Sequence, residues 1–392
     1  MPPETVGTPY AFLNWMVSTI LTKLLIAGHA LSAPVDEIPA SRWQRMFSGT
    51  NVPHGFTLLE NQTIAKQRMF LSRQEIRIMR QMGIRNVRLP FVPEAITTSY
   101  DPPILDPAKV ANLRRVLEDF KDEGILVQLD LHDGTRLAKG MGTSTEPVKR
   151  LKAFWRVVAT ELKDFDPEFL AFEVLSEPVV EDGELWWSIQ KAVISEIRSI
   201  APKHTIIAQA AKWAAIDETR PRAPYSDKNV IYTFHFYDPF IFTHQGAKWV
   251  GYEQGAWRGI LYPTREDNLL SLRNQITSPN KQRAYDDFAA KPWNAARIRD
   301  RIKLMADWAK KYDAKITCNE FGTLRESVDS MSRATWLRDV RNAFEEFGIG
   351  WSVYEWRGGM GMHYGEITAP GARSTVDWRF IDALGWKRPN LR

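Results

Sequence analysis

The sequence contains little that would hold the chain together covalently, since Cys318 is the single cysteine among its 392 residues. One cysteine excludes an intramolecular disulfide and a zinc site built from several thiolates. Cys318 lies in an apolar run, where a small buried hydrophobic residue is expected. Long basic runs are also lacking, because the 52 Lys and Arg residues are interspersed with 47 Asp and Glu residues. We therefore expect no nucleic-acid partner.

Long hydrophobic runs are scarce as well, and the one candidate lies near the N-terminus. Residues 10–33 are mostly apolar and end in small residues, as in a secretory signal peptide cleaved after Ala33. Lys23 interrupts this stretch, which makes a stable membrane span unfavourable. We predict a signal peptide or N-terminal extension over residues 1–33, one domain over residues 34–392, and a secreted or periplasmic protein. The alternative is an N-terminal helix packed on that domain.

The rest of the chain alternates short apolar runs with longer amphipathic stretches. Continuous apolar runs are typical of parallel strands that are covered on both faces. The predicted strands are 47–52, 84–89, 125–131, 170–175, 204–209, 229–236, 315–319 and 350–354, and the predicted helices are 72–82, 106–123, 147–162, 185–200, 293–311 and 333–347. Eight strands separated by helices predict a single-domain α/β fold, the (β/α)8 or TIM barrel.

Polar and aromatic residues stand where these predicted strands end. Active sites of TIM barrels lie at the C-terminal ends of the strands, so the fold would gather these side chains in one bowl. They are Arg88, His132, Glu177, His235 with Tyr237, Glu320 and Trp356.

Two glutamates in this set suggest a chemistry. Cleavage of a glycosidic bond needs a proton donor for the leaving oxygen and a carboxylate that captures the oxocarbenium-like carbon. Glu177 in FEVLSEP and Glu320 in ITCNEFG would face each other across the barrel. In retaining enzymes such a pair is about 5 Å apart. Arg88 would keep Glu320 ionised, as a nucleophile requires.

The remaining residues of the set have supporting roles in this interpretation. His132 and His235 can bond sugar hydroxyls or the carboxylates, Tyr237 can donate to Glu320, and Trp356 offers an apolar platform for a sugar ring. Each residue alone has a plainer explanation, such as a solvated glutamate or a structural ion pair. His132 with Asp130 and Asp133 is a metal-site alternative, although neither an HxH nor an HExxH pattern supports it.

The sequence resembles glycoside hydrolase family five, which includes many bacterial cellulases. The matching segments are NVRLP, QLDLHDG, FEVLSEP, YTFHFYDPFIFTHQGAKW, ITCNEFG and WSVYEWRGG. The resemblance implies a barrel, a polysaccharide or oligosaccharide substrate with β-linked glucose, retention of configuration and no cofactor. It also implies that Glu177 is the acid/base and Glu320 the nucleophile.

Ser176 departs from the family pattern, which places an asparagine directly before the acid/base glutamate. The asparagine amide donates to the 2-hydroxyl of the reacting sugar, and this contact strengthens in the transition state. A serine is shorter and has one donor. Ser176 therefore either reaches the sugar through water or marks a weakened enzyme.

The leading hypothesis is a retaining endo-β-1,4-glucanase. Hydrolysis of mannan or another β-glycan is the first alternative, and a weakened barrel that only binds carbohydrate is the second. The stretch 237–293 is too long for an ordinary connection, so we expect a functional loop that lines the cleft. Within it, Trp249, Tyr252 or Trp257 is expected to contact sugar.

Overall fold

The computed structural model describes residues 37–57, 63–65, 67, 71–251, 255–365, 367–368 and 375–391. The predicted signal segment 1–33 lies outside the described residues. None of the helices in the described part of the chain has the length and apolar character that crossing a bilayer requires.

Eight parallel strands close into a barrel, which confirms the predicted fold class. In chain order the strands are β1 (Gly49–Asn51), β2 (Asn86–Phe91), β3 (Thr97–Tyr100), β4 (Pro103–Leu105), β5 (Leu126–Leu131), β6 (Leu170–Glu173), β7 (Thr205–Gln209), β8 (Val230–Phe236), β9 (Lys315–Phe321) and β10 (Gly350–Val353). β3 and β4 form a separate two-stranded sheet. The other eight strands follow one another around the barrel in the order β1–β10–β9–β8–β7–β6–β5–β2, and β1 pairs with β2 to close the ring.

Helices surround the barrel and short helices follow several strands. They are α1 (Ala40–Arg45), α2 (His54–Thr57), α3 (Arg73–Met82), α4 (Pro107–Asp122), α5 (Gly134–Leu137), α6 (Glu146–Leu162), α7 (Gly183–Ile200), α8 (Ala211–Ala214), α9 (Ile216–Thr219), α10 (Phe240–Thr243), α11 (Glu266–Leu272), α12 (Pro279–Ala290), α13 (Ala295–Tyr312), α14 (Ser330–Phe347) and α15 (Trp378–Ala383). Two 3₁₀ turns lie at Pro93–Ala95 and Arg273–Gln275.

Local sequence explains why the long helices begin and end where they do. Ser72 and Glu75 form a reciprocal capping box at the start of α3. Gly83 ends this helix with a φ of 94°, a left-handed conformation that glycine adopts without a Cβ clash. Asp106 caps α4 and is followed by Pro107, whose fixed φ suits the first helical position.

The inside of the barrel differs between its two ends. At the N-terminal end, Leu126, Ala171, Ile207 and Ile231 form a small apolar cluster with Met46. Further along the same strands, Asp130, Glu173, Gln209 and His235 are buried polar or charged residues. Apolar packing therefore closes one end, while the polar C-terminal end is left for chemistry.

Two features of the fold differ from the sequence prediction. The antiparallel pair β3–β4 was not predicted. The stretch 237–293 was expected to be a loop, but it contains α10, α11 and α12. Ser278 accepts a hydrogen bond from the Lys281 N–H and Pro279 follows it, so α12 has an ordinary capped start.

Candidate active site

Arg88 lies on β2 at the centre of the polar end of the barrel and is completely buried. Its Nε and Nη2 donate to the two oxygens of Glu173 at 2.8 and 2.9 Å, and Nη2 also donates to Ser176 Oγ at 2.8 Å. Nη2 lies 2.9 Å from Asp130 Oδ2, and Nη1 donates to Glu320. Burial lowers the pKa of Arg88, but the carboxylates around it reverse this effect and raise the pKa well above its ordinary value.

Glu173 is a second buried group that the strand-end reasoning missed. Besides the two bonds from Arg88, it accepts from Gln209 Nε2 at 2.6 Å and from Asn319 Nδ2 at 2.8 Å. Burial raises the pKa of Glu173. However, each oxygen already accepts two hydrogen bonds, so a proton on Glu173 would have no acceptor. We therefore assign Glu173 as an ionised carboxylate that holds Arg88, Gln209 and Asn319 in place.

Glu320 lies on β9 and is held by donors on both oxygens. Arg88 donates to Oε1, and the Tyr237 hydroxyl donates to Oε2 at 3.0 Å. Burial raises the pKa of Glu320, but the charges of His235 and Arg88 outweigh it and lower the pKa to about 2. A carboxylate in this setting stays ionised at ordinary pH and carries the charge that a nucleophile needs.

Glu177 follows β6 and occupies a more open position than Glu320. Its backbone has a φ of 48°, in the left-handed region, and its N–H donates to Gln209 Oε1 at 2.8 Å. This conformation turns the side chain toward the cleft, where it is 36% exposed. Its Oε1 lies 2.8 Å from His235 Nδ1. Non-glycine residues in this backbone region are strained and are frequent at functional sites.

His235 connects the two glutamates. Its Nδ1 lies 2.8 Å from Glu177 Oε1 and 3.6 Å from Glu320 Oε2. Burial lowers the pKa of His235, but the two neighbouring carboxylates raise it above its ordinary value. One carboxylate oxygen of Glu177, one of Glu320 and a ring nitrogen of His235 all lie within 4.8 Å of one another. The two carboxylates are thus as close as those of retaining glycosidases.

His132 belongs to the ion-pair network around Arg88. Its Nδ1 lies 2.9 Å from Asp130 Oδ2, the oxygen that also faces Arg88. Asp133 pairs with Arg136 instead, at 2.5 Å. Asp130 and Asp133 thus each pair with an arginine, whereas His132 pairs with Asp130 itself. Burial lowers the pKa of His132, and its bond to Asp130 raises it above its ordinary value.

Exposed aromatic side chains stand on the walls of the cleft. Trp213 is 57% exposed and Trp249 is 64% exposed, and both line the cleft beside Glu177. Tyr354, directly after β10, lines the part of the cleft that contains Glu320. Such faces stack on sugar rings.

A comparison with known proteins identifies the family. Residues 49–359 match the family model described as Cellulase (glycosyl hydrolase family 5). The chain belongs to this family. The match runs from β1 to beyond β10, so all eight barrel strands of the family five domain are included, which confirms the resemblance noted in the sequence.

Relatives and solved structures agree with the assignment to family five. Endoglucanase C of Acetivibrio thermocellus is 26% identical over 295 residues, 74% of this chain and 84% of the relative. Endoglucanase 3 of Fibrobacter succinogenes is 26% identical over 313 residues, 74% of this chain, and the chain spans 46% of the length of that protein. A structure of a hyperthermophilic endo-β-1,4-glucanase with substrate has a TM-score of 0.70, 25% identity and coverage of 89% and 100% of the two chains.

A mutant form of Thermotoga maritima Cel5A with cellobiose is also similar, with a TM-score of 0.69 and 26% identity. The match covers 88% of this chain and 97% of that chain.

Two aromatic residues predicted for this family five cleft lie elsewhere. Trp356 was expected to be a sugar platform, but it is 1% exposed and its ring stands edge-on to His363 at 5.3 Å. The chain leaves β10 at Val353, so Tyr354 is the residue that reaches the cleft. Trp257 is also 1% exposed, with Lys281 Nζ 5.0 Å from its ring centre. Tyr252 lies outside the described residues.

The expectation that the stretch after Tyr237 lines the cleft is met by its first part. Asp238, Phe240, His244, Trp249 and Val250 are all in the cleft wall.

The site residues that were not predicted from the sequence share one signal. Glu173, Gln209 and Asn319 are polar residues within apolar strand runs, and inward-facing polar positions of a barrel strand are a pattern that could have revealed them.

Proposed function

We propose that the protein is a retaining endo-β-1,4-glucanase with Glu177 as acid/base and Glu320 as nucleophile. The observation that carries the proposal is the contrast between two carboxylates whose oxygens lie within 4.8 Å. Glu320 is buried among positive charges and hydrogen-bond donors, whereas Glu177 is half-exposed to the cleft. One group is thus suited to remain an anion, and the other can exchange protons with bound ligands and water.

In the first half of the reaction, Glu177 donates its proton to the glycosidic oxygen as the bond from that oxygen to the anomeric carbon breaks. An Oε of Glu320 forms a bond to the same carbon from the opposite face. The departing chain leaves as an alcohol, and the remaining sugar is an ester of Glu320. The hydrogen bonds from Arg88 and Tyr237 to Glu320 weaken in this step, because the carboxylate loses its negative charge when the ester forms.

In the second half, Glu177 is a carboxylate and acts as a base. It removes a proton from water, whose oxygen attacks the anomeric carbon and displaces Glu320. Two inversions give net retention. His235 lies within hydrogen-bond distance of Glu177 and also faces Glu320, so it responds electrostatically to the charge that moves between them.

The proposal of a glucan substrate and internal cleavage rests on the cleft and on the relatives. Trp213 lines the cleft beside Glu177, Tyr354 lines the part that contains Glu320, and Trp249 lines both parts. Several aromatic side chains are therefore available to stack on sugar rings along the cleft, which supports binding of a chain. Several relatives carry the name endoglucanase.

Replacing each glutamate tests the two roles. Glu320→Ala should reduce turnover of every substrate by about 10⁴-fold or more, because no covalent intermediate can form. Azide should then restore turnover and give a glycosyl azide of inverted configuration. Glu177→Ala should lose activity on β-glucan but retain it on a dinitrophenyl glycoside, which needs little protonation. Here azide should give the retained product, and product configuration is read by NMR.

Glu184→Ala is a matched control, because this side chain is 74% exposed and outside the cleft. It should behave as wild type. Equal losses for both catalytic variants on both substrates would contradict the assignment of roles. A substrate panel of soluble β-glucan, mannan and xylan tests the substrate class, and binding without hydrolysis of any polymer would favour the carbohydrate-binding alternative.

We also propose that the protein is exported, because a polymeric substrate is met outside the cell and residues 10–33 are mostly apolar. N-terminal sequencing of the mature protein tests this. A start at Pro34 would support export, and an intact Met1 on all of the protein would contradict cleavage.

A further inference from the structure

His244 is a cleft residue that the mechanism above does not use. It directly follows α10, and its ring stacks on Phe240 with centres 3.9 Å apart and planes at 13°. The edges of Tyr237 and Trp249 also pack against it. The ring is 6% exposed and lines the cleft on the side of Glu177 and on the side of Glu320. His244 therefore lies beside the point of cleavage.

The hydrogen bonds of Thr243 fix the position of the proton on this ring. Thr243 Oγ1 lies 2.7 Å from the carbonyl oxygen of Tyr237 and 2.9 Å from Nδ1 of His244. Two oxygens at 2.7 Å repel unless a proton lies between them, so the single hydroxyl proton is donated to the carbonyl. The hydroxyl oxygen is then the acceptor for His244, and Nδ1 must carry a hydrogen.

The other ring nitrogen is consequently an acceptor. Burial lowers the pKa of His244 to about 4, so the ring is neutral at ordinary pH and Nε2 has a free lone pair. Among the described residues, Nε2 has no hydrogen-bond partner. A neutral acceptor in the wall of a sugar cleft matches the hydroxyl groups of a carbohydrate, which are donors.

We propose that Nε2 of His244 accepts a hydrogen bond from one hydroxyl group of the sugar chain beside the cleaved bond. This inference rests on the proposed function and adds a specificity-determining residue to it. Because the ring is stacked and its Nδ1 is bonded to Thr243, Nε2 has a fixed position. A site of this kind discriminates against a sugar whose hydroxyl is absent or points in another direction.

Paired changes in enzyme and substrate test the proposal. His244→Phe keeps a flat ring for stacking on Phe240 but removes the acceptor. The substrates are cello-oligosaccharides in which one hydroxyl at position 3 or 6, on either sugar flanking the cleaved bond, is replaced by fluorine. Fluorine cannot donate, so the analogue loses the proposed bond. Position 2 of the reacting sugar is omitted, since fluorine there disfavours the oxocarbenium-like transition state.

One analogue should behave differently from the others. On wild type, its kcat/KM should fall about tenfold relative to the parent, the size of one lost hydrogen bond. On His244→Phe, which should itself lose about tenfold on the parent, the same analogue should cause no further loss. This coupling would not be produced by a purely structural role of the ring.

Multiplicative losses for every analogue would overturn the inference, since they would show that no tested hydroxyl depends on Nε2. His244→Leu is the second variant and also lacks an acceptor, so it replaces His244→Phe if that protein does not fold. If wild type failed to hydrolyse the parent oligosaccharide, the proposed function would be contradicted instead. The two failures are therefore distinguishable.

Discussion

At the scale of single residues, Arg88 shows how the site is prepared before substrate binds. Its guanidinium contacts Glu173, Asp130, Ser176 and Glu320, and it is fully buried. A buried charge is tolerated when it is paired and hydrogen-bonded in this way. Since these partners belong to the protein itself, Glu320 is oriented without any rearrangement during the reaction.

Ser176 belongs to this network, so its role can be tested through its contact with Arg88. Its hydroxyl accepts from Arg88 Nη2 at 2.8 Å, and the side chain is 1% exposed. An asparagine carbonyl could accept the same bond, which would leave the amide to donate to the sugar 2-hydroxyl. We predict that Ser176→Asn raises kcat/KM by about ten- to a thousandfold, with the change mainly in kcat. Steady-state kinetics on an aryl glycoside and on soluble glucan measure this.

Ser176→Ala is the companion variant, because it removes the hydroxyl and adds no new donor. It should be slower than wild type, as Arg88 loses a partner. An Asn variant no faster than wild type on either substrate would show that Ser176 is adapted to its contact with Arg88 and that the enzyme is not weakened there.

The sequence predicted those site residues that the barrel rule could reach. Arg88, Glu177, His235, Tyr237 and Glu320 follow or end apolar runs, and the structure brings them together. The prediction that Trp356 lies in the cleft was wrong because β10 ends at Val353, three residues before Trp356. Tyr354 reaches the cleft instead. His244 and Trp213 could not be predicted, since loop conformation determines where they point.

At the scale of elements, the turn α8 after β7 has an unusual backbone. Lys212, Trp213 and Ala214 have φ values of 51°, 62° and 54°, in the left-handed region. This conformation costs roughly 1–2 kcal/mol for an ordinary residue. The Lys212 N–H donates to the carbonyl of Pro178, which ties the turn to the residue after Glu177. The result is an exposed indole beside Glu177, so the strain points to substrate binding.

Trp213→Gly separates strain from function. Glycine relieves the left-handed backbone, so the free energy of unfolding should stay constant or rise by up to about 1 kcal/mol. Loss of the indole should raise KM for cello-oligosaccharides about tenfold. Asp313→Gly is the matched control, because Asp313 also has a left-handed φ of 50° but ends α13 away from the cleft. Its kinetics should equal wild type, and an unchanged KM for Trp213→Gly would contradict the platform role.

Sequence patterns predicted long elements well and short ones poorly. Within the described residues, all eight barrel strands and six of the seven helices of ten or more residues were found within a few residues of their bounds. The pair β3–β4 was missed because strands of four and three residues are too short to show a periodic pattern. The excursion after Tyr237 was assigned to a loop because its aromatic and proline content hid capped helices such as α12.

At the scale of the whole molecule, the buried charges make stability depend on pH. Glu320 has a folded pKa of about 2 against an ordinary value of 4.5, so its stabilising effect is present above pH 4.5 and is lost as the pH falls toward 2. His132 and His235 have raised pKa values. Their contribution is present below pH 6.5 and is lost as the pH rises above it. Stability should therefore be greatest between about pH 4.5 and 6.5.

The acid side of this profile gives a test. Between pH 4.5 and 2, wild type should lose about 3 kcal/mol of unfolding free energy through Glu320. Glu320→Gln lacks this ionisation, so its stability should fall less steeply. Denaturant unfolding at a series of pH values measures both. Glu146→Gln is the control, because this exposed carboxylate pairs with Lys149 at the surface and should leave the slope nearly unchanged. Parallel wild-type and Glu320→Gln profiles would contradict the low pKa.

The ring closure between β1 and β10 has a consequence for the timing of activity during synthesis. Gly49 pairs with Ser352, about 300 positions later in the chain. Asn51 on β1 bonds the carbonyls of Asn319 and Val353, and it also accepts from Arg88. At 5–20 residues per second, the ribosome needs roughly 15–60 s to make this intervening chain. After Glu177 and before Glu320 is made, the nascent polypeptide carries one of the two proposed catalytic glutamates, and β1 still lacks β10 as its partner. The proposed catalytic pair and the closed barrel are therefore complete only once β10 has been made.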